Sequence, residues 1–148
     1  VGGTVASLCE AYRTATEFSS TGHRVNLLFD HQTSAIQVQS PYTHKHLTIR
    51  LLKAGPLFVR IPPWIQRNEI EIEIEGTDEI PRWTDGHLFF TRPPVEQTIT
   101  VKFPLKDQQL TLSELVHIHP IHVNLRGDAV ASMVNFGADL TFFDTRPK

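Results

Sequence analysis

Histidines and carboxylates in extended runs are the residues best suited by type and spacing to do chemistry. His117-Ile118-His119 places two imidazoles on one face of a strand, a spacing used by zinc and iron sites. His122 follows, but Pro120 breaks the alternation, and no residue announces itself as a third ligand with a matching direction. A polar face or a hydrogen-bonded pair is the plainer expectation. His117 and His119 are the metal candidates if a site exists, and binding would then weaken as pH falls, because only neutral imidazole ligates. Thr43-His44-Lys45-His46 is a second short cluster, expected in a loop. Ile70, Ile72 and Ile74 alternate with Glu69, Glu71, Glu73 and Glu75. Same-face strand neighbours lie roughly 6.5–7 Å apart. That falls within the ~6.5–9.5 Å carboxyl separation of an inverting glycosidase. A glycosidase pair flanks the scissile bond from opposing sides, however, whereas these side chains point the same way. They predict a strand with one wet face, which discourages edge-to-edge pairing.

Nucleophilic chemistry has its letters but no motif. There is no Gly-x-Ser-x-Gly elbow and no glycine-rich phosphate loop. Cys9 is the sole cysteine, which excludes an intrachain disulfide and a multi-cysteine zinc site. It falls on an apolar helix face, where a small buried thiol is expected. Arg126-Gly127-Asp128 spells an integrin-type tripeptide but reads as a plain turn. Trp83, in the loop-like Pro81–Gly86, and Trp64, after Pro62-Pro63, are the candidate carbohydrate-binding residues. Aromatic faces stack on the C–H faces of sugars. The competing expectation is that each plugs an end of a sandwich. No catalytic residue is assigned.

These residues hang on one helix and many short strands. Val5, Leu8, Cys9, Tyr12 and Ala15 follow helical spacing within residues 4–18, with Thr4 as N-cap and Ser19–Gly22 as the stop. Strands are expected at Val25–Phe29, Ala35–Gln39, Leu47–Leu51, Leu57–Ile61, Ile70–Ile74, Leu88–Thr91, Thr98–Phe103, Val116–His119, Ala129–Val134 and Leu140–Phe143. Short strands with turn signals every 8–12 residues predict a mainly β chain, an antiparallel sandwich or jelly roll with one N-terminal helix. No linker long enough to divide the strand region is evident.

The chain has 148 residues, enough for one domain of ordinary size. Hydrophobic residues make up 40% and charged residues 20%, which excludes a disordered tail. A net charge of −2 leaves no cationic field for a phosphate backbone, so nucleic acid is not an expected partner. No apolar run approaches the length of a bilayer span, so no membrane partner is expected either. Compartment stays open. Met133 is the only methionine, so the chain is expected to be a processed product or a fragment rather than a complete translation product.

Leu57-Phe58-Val59-Arg60-Ile61-Pro62-Pro63-Trp64 is the most distinctive stretch. It resembles the apolar-x-x-Arg-Ile-Pro-x-Trp segment of glycoside hydrolase family 127, the β-L-arabinofuranosidase-like group. Arg24-Val25-Asn26-Leu27-Leu28-Phe29 is similar to the family's strand leaving the last barrel helix. Glu75-Gly76 stands at its Asn-Gly turn, and Phe103-Pro104-Leu105 resembles its strand ending in Leu-Pro. The likeness covers most of residues 1–105. It implies an N-terminal (α/α)6 barrel with the active site, followed by β-sandwich material. The implied zinc and cysteine nucleophile belong to a Cys-Cys pair upstream of Val1, so no cofactor is expected in this chain. Residues 1–22 then resemble the last barrel helix, and 23–148 a β-sandwich domain. The implied role is non-catalytic, with the barrel as partner and the bared helix face as a possible homo-oligomer contact. A stand-alone carbohydrate-binding module and a cupin-like metal protein are the alternatives.

Overall fold

The structure, a computed structural model, describes residues 2–77, 79–113, 120–135 and 138–141. The amphipathic pattern near the start forms α1 (Gly2–Arg13). It ends well before Phe18, for a tertiary reason. Ala15 is fully buried, and its carbonyl accepts the N–H groups of Asn26 at 2.9 Å and Leu27 at 3.2 Å. The Asn26 side-chain amide also donates to the Thr14 carbonyl at 3.0 Å. These bonds hold the backbone extended, and Thr16–Ser19 becomes β1 instead of a further helical turn.

Contacts divide the chain into two compact units, Val1–Phe103 and Pro104–Lys148. The first holds β1, β2 (Gly22–Val25), β3 (His31–Gln32), β4 (Ile36–Gln39), β5 (Leu47–Leu51), β6 (Leu57–Arg60), β7 (Glu71–Ile74), β8 (Arg82–Thr84), β9 (His87–Phe90) and β10 (Thr98–Lys102). They form two five-stranded sheets, ordered β1-β2-β6-β9-β8 and β3-β4-β5-β10-β7. Every strand pair in this unit is antiparallel except β2 with β6.

Alternation makes the sandwich. Val25, Leu57, Val59, Leu88 and Phe90 from the first sheet share one buried cluster with Ile36, Val38, Leu47, Ile49, Leu51, Ile99 and Val101 from the second. Each of these residues is flanked in its strand by residues facing the other way. β7 is the wet-faced strand that its isoleucine and glutamate alternation predicts. It lies at a sheet edge, with Ile72 and Ile74 packed on the core and Glu73 paired to Lys102.

Trp83 lies on a strand rather than in the expected loop. Asp85 (φ 43°) and Gly86 (φ 74°) are the two central residues of the β8–β9 turn, and both take positive φ. That is the signature of a type I′ hairpin, whose twist matches that of its strands.

The second unit is a four-stranded antiparallel sheet of β11 (Asp107–Leu112), β12 (Ile121–Arg126), β13 (Ala129–Asn135) and β14 (Ala138–Thr141). Neither β11 nor β12 matches an expected strand. Arg126-Gly127-Asp128 enters the β12–β13 turn, with Gly127 at φ 63°. Arg126 Nε donates to Asp107 Oδ1 at 3.2 Å, and the Gly127 N–H donates to the Lys106 carbonyl at 2.7 Å. The expected strand Val116–His119 lies outside the described residues. Among the described residues, no helix is long and apolar enough to cross a membrane.

Candidate functional site

The outward face of the first sheet carries a row of charged and aromatic side chains suited to recognition. Strand alternation puts Leu57 and Val59 inside and Phe58 and Arg60 outside. It does the same for Leu88 and Phe90 against His87 and Phe89. Cross-strand register then lines up Glu17, Arg24, Phe58, Phe89 and Arg82 in one row over β1, β2, β6, β9 and β8. Arg60, His87 and Thr84 form the next row.

In the first row the groups stack side to side. The Arg24 guanidinium lies 4.9 Å from the Phe58 ring centroid. The Phe58 and Phe89 rings stack at 4.5 Å with planes 27° apart. Phe58 is thus enclosed between a cation and a second ring, while the other face of Phe89 is turned toward the strand that bears Arg82. Arg24, Arg60 and Arg82 are exposed, and Phe58 and Phe89 are half-buried. His87 Nδ1–H donates to the Asp85 carbonyl at 2.8 Å, which fixes the ring at the end of its strand. Glu17 is the one carboxylate in the two rows, and its Oε1 accepts from the Asn26 amide at 3.0 Å. Three arginines against one glutamate give these rows a formal +2, on a chain whose net charge is −2. Such a face can take a ring in van der Waals contact and an anion by charge-assisted hydrogen bonds.

The two tryptophans lie elsewhere. Both are half-buried and packed against the core cluster. Trp64 meets Phe103 edge-on at 6.2 Å, and its Nε1 is buried without a partner. Trp83 points to the core side of β8, and the Arg67 guanidinium covers its ring at 4.7 Å. The aromatic pair on the opposite face was hidden in the sequence, because Phe58 and Phe89 each sit beside a core residue in an apolar run. The readable signal is the Arg at position i+2 from Phe58, which marks that side as wet.

Two histidine environments have distinct electrostatics. In the loop after β4, the Ser40 N–H donates to Asp30 Oδ1 at 2.6 Å and the Thr43 hydroxyl to Asp30 Oδ2 at 2.5 Å. His44 Nδ1 lies 3.3 Å from Asp30 Oδ1. Burial alone would raise the Asp30 pKa. The Ser40 amide, then the Thr43 hydroxyl and His44, outweigh it and hold the carboxyl below its ordinary value. A hydrolytic triad needs its hydroxyl on the imidazole nitrogen remote from the carboxylate. Here the Thr43 hydroxyl serves the carboxylate and lies 3.0 Å from the same Nδ1 that faces it. The grouping is a loop clasp, not a nucleophile–base pair.

His23 is fully buried on β2. Its ring stacks on Phe18 at 4.4 Å, Nε2–H donates to the Lys53 carbonyl at 2.9 Å, and Nδ1 is buried without a partner. Burial depresses its pKa, the Lys53 carbonyl opposes that effect, and the Lys53 charge adds to it.

Cys9, expected to be buried, is exposed, as are Val5, Leu8 and Tyr12 at 54%, 66% and 52%. The apolar stripe of α1 is therefore uncovered, and the thiol with it. His117 and His119 lie outside the described residues. Among the described residues, no group of three or more His, Cys, Asp or Glu side chains could hold a metal ion.

No family model and no curated protein matches the chain. Solved structures do. One is described as a glycoside hydrolase: TM-score 0.58, 19% identity, covering 86% of this chain and 24% of that one. Another is a family 127 β-L-arabinofuranosidase from Geobacillus stearothermophilus: TM-score 0.53, 21% identity, covering 80% of this chain and 21% of that one. The chain spans less than a quarter of the length of either. Its fold, a β-sandwich with a leading helix, is the fold of part of a family 127 glycoside hydrolase.

Proposed function

We propose that the chain is a non-catalytic β-sandwich part of a glycoside hydrolase of the β-L-arabinofuranosidase-like kind, bracing a catalytic barrel or a contact between subunits. The fold likeness carries this reading, since it takes in 86% of the chain and only 24% of a glycoside hydrolase. α1 supports it from the chain's own side. Val5, Leu8 and Tyr12 form an exposed stripe that a neighbouring barrel helix would bury. The helix α1 (Gly2–Arg13) would then belong with the barrel, and the strands from β1 onward with the sandwich, since β1 and β2 are already paired within the first sheet. The zinc and cysteine pair implied by the resemblance would belong to the barrel as well. A second reading, a saccharide-binding module, draws its support from Phe58 and Phe89 rather than from Trp64 and Trp83. An assay of the isolated chain on aryl β-L-arabinofuranoside, with zinc supplied, tests the main reading. No turnover above buffer is expected, and turnover at an ordinary enzymatic rate, on the order of 1 s⁻¹ or more, would overturn it.

A further inference from the structure

The geometry points to a ligand for the outward face of the first sheet. We infer that it binds an acidic saccharide, a uronic-acid-bearing oligosaccharide. One pyranose ring lies against the outer face of Phe89, and its carboxylate is held by Arg82 and Arg60. The inference rests on the accessory-domain reading for its choice of a carbohydrate, and on this face for everything else.

The stack supplies the position. Arg24, Phe58 and Phe89 already form a column of three flat groups across the sheet. Phe58 has both faces occupied, so the next place in the column is against Phe89, on the side of β8. A pyranose offers a flat C–H face of the kind that packs on an aromatic ring. Phe58 and the Arg24 guanidinium hold Phe89 from behind, which lowers the entropy cost of receiving it.

Charge supplies the selectivity. Arg82 is the direct cross-strand neighbour of Phe89, and Arg60 follows Phe58 at the next outward position of β6. Both are exposed. Guanidinium groups take carboxylates in a two-pronged geometry that ammonium groups cannot match. The single carboxylate of the rows, Glu17, sits at the opposite end, three strands from Phe89, and is tied to Asn26. Across β2, β6, β9 and β8 the arginine-to-arginine span is about 14 Å at ordinary strand spacing. That gives room for more than one sugar unit. A single-stranded nucleic acid also combines stacking with anionic groups. The chain's net charge of −2 disfavours a polyphosphate where one or two carboxylates are readily accommodated.

Calorimetric titration of the full chain tests the inference, with trigalacturonate, neutral galactotriose and a short oligothymidylate as probes. Trigalacturonate is expected to bind at least about tenfold tighter than galactotriose. Arg82→Gln and Arg60→Gln change exposed side chains and leave the fold intact by circular dichroism. Each is expected to weaken trigalacturonate by about tenfold, while galactotriose stays within about twofold. Phe89→Ala should weaken both sugars. Equal affinity for the two saccharides, indifference to both arginine substitutions, tighter binding of oligothymidylate, or no binding of trigalacturonate would each overturn it. A failure of this kind, with the isolated chain inactive on glycosides, leaves the accessory-domain reading standing. Glycoside turnover by the isolated chain removes that reading whatever trigalacturonate does.

Discussion

His23 shows what a single titratable side chain can impose. Its ring is fully buried, one nitrogen serves the Lys53 carbonyl, and the other has no partner. Burial lowers its folded pKa below the ordinary 6.5. The unfolded chain therefore binds a proton first as pH falls. The stability associated with neutral His23 is complete above about 6.5 and is lost as pH descends toward the folded value. Asp30 acts in a separate, lower window. Its folded pKa is held below 3.8, so its contribution is present above that value and disappears as pH falls through the depressed one. His23→Gln keeps a donor for Lys53 but cannot charge. The urea midpoint of the native chain is expected to fall between neutral pH and about pH 5, and that of the variant to fall clearly less. Parallel declines would show that another group governs the acid limb.

Elements are legible where alternation is strict and obscure where tertiary bonds decide. The strands β4, β5, β6, β7, β9 and β10 each carry inward apolar residues at every second position, and the sequence pattern found all of them. β1 was masked because Ala15 continues the helical spacing of α1. Only the Asn26 and Leu27 bonds to its carbonyl turn the chain there. β8 is short and polar, though Asp85-Gly86 was a hairpin signal open to reading. β11 is exposed along its whole length and has little inward pattern to betray it.

The β1–β2 hairpin offers a sharper test of an element. Gly22 has φ 109°, and a Cβ there would stand 2.3 Å from the Pro56 carbonyl oxygen. Gly86 also has positive φ, 74°, but opens on empty space. Gly22→Ala should cost about 3 kcal/mol or more and Gly86→Ala about 1 kcal/mol, measured by chemical denaturation. Similar costs would mean that the close approach of β2 to Pro56 contributes nothing. For α1, the exposed stripe predicts self-association of the isolated chain. Leu8→Gln is expected to lower the weight-average mass in sedimentation velocity, and an unchanged distribution would count against that face.

At the scale of the molecule, among the described residues every member of the main hydrophobic cluster precedes Pro104. Residues 1–103 should therefore unfold cooperatively by themselves, with a sigmoidal thermal transition followed by circular dichroism. A broad, non-cooperative melt would show that the second unit is needed for the first. The order of strands has a further consequence, for time rather than for stability. The chain changes sheet after β2, β5, β6, β7 and β9. Neither sheet can be completed before most of the other has been laid down. β2 in particular waits for β6, its parallel neighbour, until three strands of the opposite sheet have been threaded between them. The search for such distant partners makes refolding of this unit slow, in the millisecond-to-second range of non-local β topologies. It also deprives the unit of a half-finished stopping point in which one sheet stands alone.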